Sequence, residues 1–419
     1  MDWFLILKNR KMAMKKNRES NSNGPLRKLR VLEIATTVAG PFSGTLFAEF
    51  GAEVIKIEVP KVGDPSRGFG PFFKGKSLTW VVLGRNKKSV TLDLRKEKGK
   101  ELFKRLVGIS DVVIESFRPG TMEEWGLGYE ELKRINPRII MIRVSGFGQD
   151  GPYKERAGFD RIAGAMGGMT YLTGYPDSPP VRVGLNICDQ IAGLFSAFGA
   201  MVAIYNRDTS SSMEGQWVDV SLCESIIRLL EGVIAEYHKL GTIRERTGNS
   251  NEIVAPAENF LSRDGKWVVF GLTSDALFRR FLQAIDREDL ASDPRFMTNI
   301  DRVKNRDTIH EIAREWFREK TVSEIQKIFD DKGLPYGLVY NAKDICEDPH
   351  NRARGNIIEI EDRDIGLVKM QNVTPRLSRT PGKVKSSAPG LGEHNREIYM
   401  GLLGLTDEEL KILKEEGVI

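Results

Sequence analysis

The chain has 419 residues, of which 40% are hydrophobic and 29% are charged, the composition of an ordinary soluble globular protein with about two domains. Its net charge of +5 comes from 63 basic and 58 acidic residues that are mixed along the chain. This balance predicts no nucleic-acid partner, although a local basic groove could bind a phosphorylated ligand.

The first residues do not resemble a secretory signal. A short apolar run follows Asp2, and basic residues come after it, which is the reverse of the usual order. We interpret residues 1–28 as a flexible tail, either a start-site extension or a targeting segment.

Regular structure is predicted from Leu29 onward. R-V-L-E-I-A reads as a strand, V-A-G-P as a turn into a helix, and A-E-V-I-K-I-E-V as a second strand. Such a unit begins a parallel α/β sheet, in which ligands bind at the carboxyl ends of the strands. The G-x-G-x-x-G fingerprint of nicotinamide cofactors is absent. Val38 and Ala39 therefore either form a plain tight turn or border a ligand.

Two further segments could face a phosphate group. Asn86, Lys87, Lys88 and Ser89 precede the strand S-V-T-L-D-L, and such a cluster is either a solvated turn or a source of cations and amides. Arg118 directly follows a strand end and is the better phosphate candidate.

The segment Arg182–Arg207 is the most informative part of the chain. Ile191–Tyr205 carries no charge, which predicts a helix buried on most sides, and its fifteen residues are shorter than the roughly 20 that span a bilayer. Asp189 precedes this helix. It is interpreted either as an N-cap or as a carboxylate nucleophile held ionised at the helix terminus.

Residues after 215 continue the pattern of short elements. C-E-S-I-I-R-L-L-E-G-V-I-A-E-Y-H-K-L predicts one long amphipathic helix, and Asp264-Gly265 predicts a hairpin. Strands are expected at N-I-I-E-I and L-V-K-M, and a helix at T-D-E-E-L-K-I-L-K-E-E-G.

Cysteine and histidine usage points to a reduced, metal-free protein. Cys188, Cys223 and Cys346 are far apart and odd in number, so we expect no disulfide framework and a cytoplasmic location. The four histidines stand singly, without metal-binding spacing, so we expect no metal.

Nine motifs follow one another along the chain: V-A-G-P, G-A-E-V-I-K-I-E, G-D-P-S-R, N-K-K-S-V-T-L-D-L, E-S-F-R-P-G, S-G-F-G-Q-D-G-P-Y, R-V-G-L-N-I-C-D-Q-I-A-G, D-P-H-N-R-A-R-G and P-G-L-G-E-H-N-R-E-I. In this ordered series the chain resembles the family III CoA-transferases, over nearly everything after the first ~29 residues.

The resemblance implies an α/β fold with a Rossmann-like large domain and a smaller α+β domain. Each chain would form a ring, and two rings would interlock as a homodimer. The implied divisions are the large domain at 29–215, a linker helix at 216–255, the small domain at 256–335, a second linker at 336–355, and the C-terminal part that completes the large domain at 356–419.

The resemblance also implies the site. Asp189 corresponds to the family's nucleophile. Coenzyme A or an acyl-CoA, bound as a substrate, would lie along Val38-Ala39, Asn86–Ser89 and Phe117-Arg118. A carboxylate with a pKa near ~4 is ionised at pH 7, so Asp189 would attack a thioester without a general base. The substrates would be an acyl-CoA and a free carboxylic acid, and no membrane partner is expected.

Departures from the family's patterns limit the choice of reaction. Formyl-CoA transferase has a glutamine where this chain has Val38 and a basic residue where it has Val59, which argues against formate/oxalate exchange. Racemases of the family begin their catalytic pair at a histidine where this chain has Phe159, which cannot shuttle a proton. CoA transfer is preferred over an acyl-CoA isomerase or racemase and over a non-catalytic CoA- or nucleotide-binding protein. Nothing in the sequence selects the acids.

Overall fold

The computed structural model describes residues 24–419, so the predicted tail lies outside the described residues up to residue 23. The chain divides into two compact units. The first contains residues up to Met169, together with Val183–Glu231 and Ala353–Ile419. The second contains Thr170–Arg182 and Gly232–Arg352. The first unit thus continues past the predicted division at residue 215.

The strands are β1 (Arg30–Glu33), β2 (Glu53–Glu58), β3 (Phe72–Phe73), β4 (Lys76–Ser77), β5 (Lys88–Thr91), β6 (Val112–Glu115), β7 (Ile140–Ser145), β8 (Trp217–Ser221), β9 (Ala257–Leu261), β10 (Trp267–Gly271), β11 (Tyr336–Leu338), β12 (Ile357–Asp362) and β13 (Gly366–Gln371).

The α-helices are α1 (Ala39–Glu49), α2 (Leu78–Leu83), α3 (Glu97–Val107), α4 (Thr121–Glu124), α5 (Tyr129–Ile135), α6 (Asp160–Met166), α7 (Met169–Leu172), α8 (Ile187–Thr209), α9 (Leu222–Ile227), α10 (Val233–Leu240), α11 (Asp275–Ala284), α12 (Asn299–Lys304), α13 (Arg306–Glu319), α14 (Val322–Lys332), α15 (Ala342–Glu347), α16 (Pro349–Ala353) and α17 (Asp407–Glu415). Pro65–Gly68 and Glu288–Ser292 are 3₁₀ turns, and Arg396–Leu402 is a π-helix.

The first unit is built on a six-stranded parallel sheet in the order β5-β2-β1-β6-β7-β8. This confirms the predicted mixed α/β fold with a parallel central sheet. Leu32 of β1 is in register with Ile55 of β2 and with Val113 of β6. Numbered within the sheet, the order is 3-2-1-4-5-6, which is the doubly wound arrangement of dinucleotide-binding folds. From β1 the chain adds β2 and β5 on one side of the sheet and then β6, β7 and β8 on the other side, so the strand order reverses between β1 and β6.

Buried side chains cover both faces of this sheet, because successive residues of a strand point to opposite sides. Leu32 joins a core with α3 and the C-terminal helix, whereas Val31 joins a core with α1 and α8. In the second core α1 and α8 pack closely. A Cβ at Gly193 of α8 would lie 2.6 Å from the backbone oxygen of Ala39, so glycine there allows the two helix N-termini to approach.

Two helices differ from expectation. α8 begins four residues before Ile191 and runs to Thr209, and one face of it is exposed rather than buried. It is long and apolar enough to cross a membrane, with 39% of its apolar window buried, a property it shares with core helices of soluble proteins. The predicted long helix after β8 is instead two helices, α9 and α10. Glu231 between them has φ 51°, which an α-helix does not accommodate.

The second unit contains an antiparallel sheet in the order β11-β10-β9. The pairing of β9 with β10 around Gly265, which has φ 74°, confirms the hairpin predicted at Asp264-Gly265. Phenylalanines fill the core beside this sheet, and the rings of Phe260 and Phe317 stack at 4.6 Å.

The C-terminal segment packs against the edge strand of the first unit's sheet. The predicted strands of this segment form the β12–β13 hairpin, and the last predicted helix is α17, capped by Thr406. The Tyr399 hydroxyl donates to the backbone oxygen of Thr91 at 2.7 Å, and the amide N–H of His394 donates to the backbone oxygen of Ser89 at 2.9 Å.

Candidate active site

A cleft of about 190 Å³ lies at the carboxyl ends of β1, β6 and β7, where the strand order of the sheet reverses. Ligands of open α/β sheets bind at this position. The cleft brings together five of the predicted site residues: Val38, Ala39, Phe117, Arg118 and Asp189. Its other lining residues are Thr36, Thr37, Ser116, Pro119, Val144, Ser145, Gly146, Lys154, Arg156, Ala157, Gly158, Phe159 and Leu222.

A buried ionic network holds the loop that follows β1. Thr37 adopts the left-handed region with φ 76°, and its amide N–H points to Asp64 at 3.4 Å. Asp64 forms a 2.6 Å ion pair with Lys56, whose ammonium also donates to the backbone oxygen of Ala35. Both charged side chains are buried, so this loop is rigidly placed beside the N-terminus of α1.

Glu115, the last residue of β6, holds the loop that follows this strand through hydrogen bonds. One carboxylate oxygen accepts the amide N–H of Phe117 at 2.8 Å, and the other accepts from the Arg143 guanidinium at 2.9 Å. Burial raises the pKa of Glu115 to about 7. Arg118, the next residue in the loop, is exposed and borders the cleft, so its guanidinium is accessible to a ligand.

Asp189 is the third residue of α8 and not its N-cap, which corrects the capping interpretation. The N-cap is Asn186, whose side chain makes no capping hydrogen bond. Asp189 nevertheless lies in the first turn, where the exposed amides favour a negative charge. Its side chain faces the cleft and the residue is only 9% exposed.

The protonation of Asp189 also differs from expectation. Burial, and in second place the negative charge of Asp160, raise the pKa of the Asp189 carboxyl to about 7. The unliganded cleft therefore favours the protonated form of this carboxyl more than water does, in contrast to the ordinary pKa near ~4 that was expected. A carboxyl with this environment in a cleft is typical of a functional site.

Three cationic side chains line the cleft: Arg118, Lys154 and Arg156. Lys154 and Arg156 are exposed, and the Arg156 guanidinium lies 3.8 Å from the ring centre of Tyr153. Our sequence interpretation missed both, because they sit in the glycine-rich segment after β7 where no regular pattern marks a site. Their charges suit a ligand with several phosphates.

Asn86, Lys87, Lys88 and Ser89 are not part of this cleft. Lys87 is buried and pairs with Glu33 at 2.8 Å, and burial lowers its pKa. The other three bind the protein itself: Asn86 accepts from the backbone of Lys385 at 2.7 Å, Lys88 pairs with Glu53 and Glu397 at 2.7 Å each, and Ser89 donates to Glu58 at 2.6 Å. These contacts hold the start of β5 against its neighbours, and a role of the four residues in CoA binding stays a prediction.

A second cavity, of about 170 Å³, lies at the carboxyl ends of β1, β2 and β5 and shares Thr36 and Phe117 with the cleft. Val59 and Arg95 line it together with Trp125. A long ligand could therefore pass from one cavity to the other along the ends of the strands.

A third and larger cavity, of about 820 Å³, shares Val38 with the cleft. Asn186, the N-cap of α8, and Gln190, one turn further along, line it, whereas Asp189 lines the cleft. Its remaining lining residues are Phe42, Thr45, Leu46, Glu49, Gly70, Pro71, Leu78, Thr79, Val82, Leu83, Arg85, Gly184, Leu185, Gln371, Asn372 and Thr374. Within residues 24–419, no group of three or more potential metal-binding side chains is found.

Comparison with known proteins identifies the family of this chain. The profile of CoA-transferase family III matches residues 26–395. The chain is 50% identical over 396 residues to the succinyl-CoA–D-citramalate CoA-transferase of Chloroflexus aurantiacus, covering 94% of this chain and 98% of that protein. It is 31% identical over 402 residues to the human succinyl-CoA:glutarate CoA-transferase, covering 96% and 91%.

A solved structure has the same fold. The crystal structure of a CAIB/BAIF family protein from Brucella suis superposes with a TM-score of 0.81 at 34% identity, over 91% of this chain and all of that one. The sequence match, the fold and the position of the cleft lead to one conclusion. The chain belongs to CoA-transferase family III and is a CoA-transferase.

Proposed function

We propose that the protein transfers CoA from succinyl-CoA to a small dicarboxylic acid through a covalent intermediate on Asp189. The observation that carries this proposal is the buried carboxyl of Asp189 in a cleft lined by three cations. Two relatives, a succinyl-CoA–D-citramalate CoA-transferase and a succinyl-CoA:glutarate CoA-transferase, support this choice of donor and acceptor class.

The reaction needs only the carboxylate and the two substrates. The ionised Asp189 carboxylate attacks the thioester carbon, the carbon–sulfur bond breaks, and a mixed anhydride and CoA thiolate form. The thiolate then attacks the aspartyl carbonyl and releases the first acid, which leaves an aspartyl-CoA thioester. The incoming carboxylate repeats the two steps in reverse, so no bond energy from ATP and no redox partner is required.

Each step passes through a tetrahedral oxyanion that needs hydrogen-bond donors. The N-terminus of α1 supports this role, because Val38 at its N-cap provides no side-chain hydrogen bond. The first amides of a helix have no intrahelical partner. Val38 and Ala39 both line the cleft, so their amides are the proposed donors.

The two connected cavities suggest how the CoA substrate is placed. We assign the thioester to the cleft at Asp189 and the nucleotide to the cavity at the ends of β2 and β5, since the two share Thr36 and Phe117. Arg118 and Arg95 would then meet phosphate groups, and Trp125 offers an aromatic surface beside the nucleotide.

The large third cavity, which meets the cleft at Val38, is the proposed binding site for the part of the acid that does not react, while its reacting carboxylate reaches Asp189 in the cleft. Gln190, the residue after Asp189, lines this cavity, and the lining combines amide and hydroxyl groups with apolar side chains. Its two charged residues, Arg85 and Glu49, already pair with each other at 2.7 Å. Such a lining suits a short acid that carries additional polar groups, because each polar group left unpaired in a cavity costs about 1–3 kcal/mol.

A screen of acids against succinyl-CoA tests this assignment. We expect four- and five-carbon dicarboxylic acids to react at least about 10-fold faster than monocarboxylic acids of equal length. In a Gln190→Leu variant, we expect kcat/KM to fall about 10-fold for hydroxylated dicarboxylic acids, with little change for the unsubstituted ones. Rates are measured by mass spectrometry of the acyl-CoA products. Preference for monocarboxylic acids, or no use of succinyl-CoA, would refute the proposed substrates.

We further propose that the protein is a homodimer of interlocked chains, in which a second copy and not a membrane covers the exposed face of α8. Leu194, Phe198 and Tyr205 lie on this face and are 58%, 66% and 72% exposed. A contiguous apolar surface of this kind on a soluble protein marks an interaction site.

Interlocked chains should not separate without unfolding. On dilution to nanomolar concentration, analytical ultracentrifugation is expected to find dimers that persist until the chains unfold in denaturant. A folded monomer in reversible equilibrium with the dimer at micromolar concentration would disprove the interlocked arrangement.

A further inference from the structure

The first turn of α8 is capped from another helix. Asp160, the first residue of α6, accepts the amide N–H of Cys188 at 2.8 Å and that of Asp189 at 3.2 Å through one carboxylate oxygen. The N-cap residue Asn186 does not provide this bond. Asp160 is 29 positions away in sequence, so it ties the backbone of Asp189 to a separate element of the fold.

The same contact places two carboxyl groups at one helix terminus. The charge of Asp160 contributes to the raised pKa of Asp189, after burial. The other ionisable groups of α8 itself are Cys188, whose thiol hydrogen-bonds Asp160, and Arg207 and Asp208 at the far end. Those around α8 include Arg118, Lys154 and Arg156 in the cleft, Arg143 on β7, Glu49 at the far end of α1, Asp219 on β8 and Glu224 on α9. The charge of Asp160, and not that of any of these groups, raises the pKa of Asp189.

We propose that Asp160 is a positioning residue, whose carboxylate holds the backbone of Asp189 so that its side chain faces the cleft. This inference rests on the proposed role of Asp189 as the nucleophile. Asp160 does not touch the reacting atoms and acts through the amides of the α8 terminus. Misplacement of a reacting group by about 1 Å can cost about 100-fold in rate, so a fixed backbone at this position matters for catalysis.

The charge and the hydrogen bonds of Asp160 can be separated by two substitutions. Asp160→Asn keeps an oxygen that accepts the amides but removes the charge. The Asp189 carboxyl then ionises at lower pH, and the acid limb of kcat/KM is expected to move down by roughly one pH unit. Asp160→Ala removes the acceptor as well, and kcat is expected to fall about 10- to 100-fold with the KM for acyl-CoA little changed.

Adduct formation on Asp189 is measured against pH in the full-length wild-type protein and in both variants. The rate near pH 6 divided by the rate near pH 8, taken within one variant, cancels differences in the amount of folded protein. Asp301→Asn is the matched control. Asp301 closes the capping box of α12 in the second unit, so its loss is expected to lower the melting temperature without moving the acid limb.

The outcomes distinguish the two proposals. If wild-type protein forms an adduct on Asp189, Asp160→Asn raises the rate ratio while Asp301→Asn does not, and a folded Asp160→Ala loses kcat about 10- to 100-fold, the positioning role is supported. If the adduct forms but Asp160→Asn leaves the acid limb in place, or a folded Asp160→Ala keeps kcat within about twofold, Asp160 has only a structural role and the inference is overturned. If Asp160→Ala does not fold, the acid limb of Asp160→Asn alone decides. If wild-type protein forms no adduct, the proposed nucleophile fails first.

Discussion

Asp189→Asn is expected to fold normally and to lose CoA transfer by about 10⁴-fold or more, because an amide cannot attack a thioester. The substitution does not remove a cap, since Asp189 is not the N-cap of α8. The measurement is steady-state CoA transfer, with the melting temperature of the same preparation as the test of folding.

Stability gives an independent readout for the same variant. The pKa of Asp189 is about 7 in the folded protein, above its value near ~4 in an unfolded chain. The folded state therefore binds this proton more tightly, and the carboxyl destabilises the fold increasingly as pH rises from about 4 to about 7. Above pH 7 we expect Asp189→Asn to be more stable than wild type, by on the order of 2 kcal/mol, with the difference vanishing near pH 4.

Asp208→Asn is a suitable control, because it makes the same change near the other end of α8, where Asp208 pairs with Arg207 at 2.8 Å. It should retain activity within about twofold. An Asp189→Asn preparation, freed of contaminating enzyme and of deamidated protein, that still transfers CoA at a substantial rate would exclude Asp189 as the nucleophile.

Arg118→Ala is expected to raise the KM for acyl-CoA about 10- to 100-fold, and to the same extent for several different acyl groups. The reason is that an exposed guanidinium at the end of β6 would meet the phosphates that all acyl-CoA substrates share, and charge-assisted hydrogen bonds contribute about 1.5–3 kcal/mol each. The KM for the acceptor acid should stay unchanged.

Arg134→Ala is the matched control for this prediction, since Arg134 is a surface arginine on α5 with a 3.7 Å ion pair to Glu131. Its loss should leave both KM values unaltered. If Arg118→Ala raises the KM for one acyl-CoA and leaves the KM for the others unchanged, Arg118 recognises the acyl group and not the CoA portion.

The parallel sheet could be predicted from the sequence because its strands are short apolar runs separated by helical segments and glycine turns. Val31 and Leu32 illustrate why this signal is reliable: both are buried, on opposite faces, as a strand covered by helices on both sides requires. The sequence motif identified Asp189, and Arg118 could be predicted because it directly follows the end of a strand.

Features that depend on distant contacts could not be predicted in this way. The pKa of Asp189 depends on burial and on Asp160, which only the packing of α6 on α8 brings near. Lys87 looked like a surface cation, yet it pairs with Glu33 more than fifty positions away. The exposed face of α8 could not be predicted either, because all residues of Ile191–Tyr205 are uncharged and apolar composition does not show which face of a helix is buried.

The most direct test of the central claim uses the wild-type protein and succinyl-CoA without an acceptor acid. Incubation followed by trapping with hydroxylamine or borohydride and peptide mass spectrometry should place one modification on the peptide that contains Asp189, with release of succinate. The Asp189→Asn protein should show none. A modification at another residue, or full transfer activity without any trapped adduct, would contradict the proposed aspartyl intermediate.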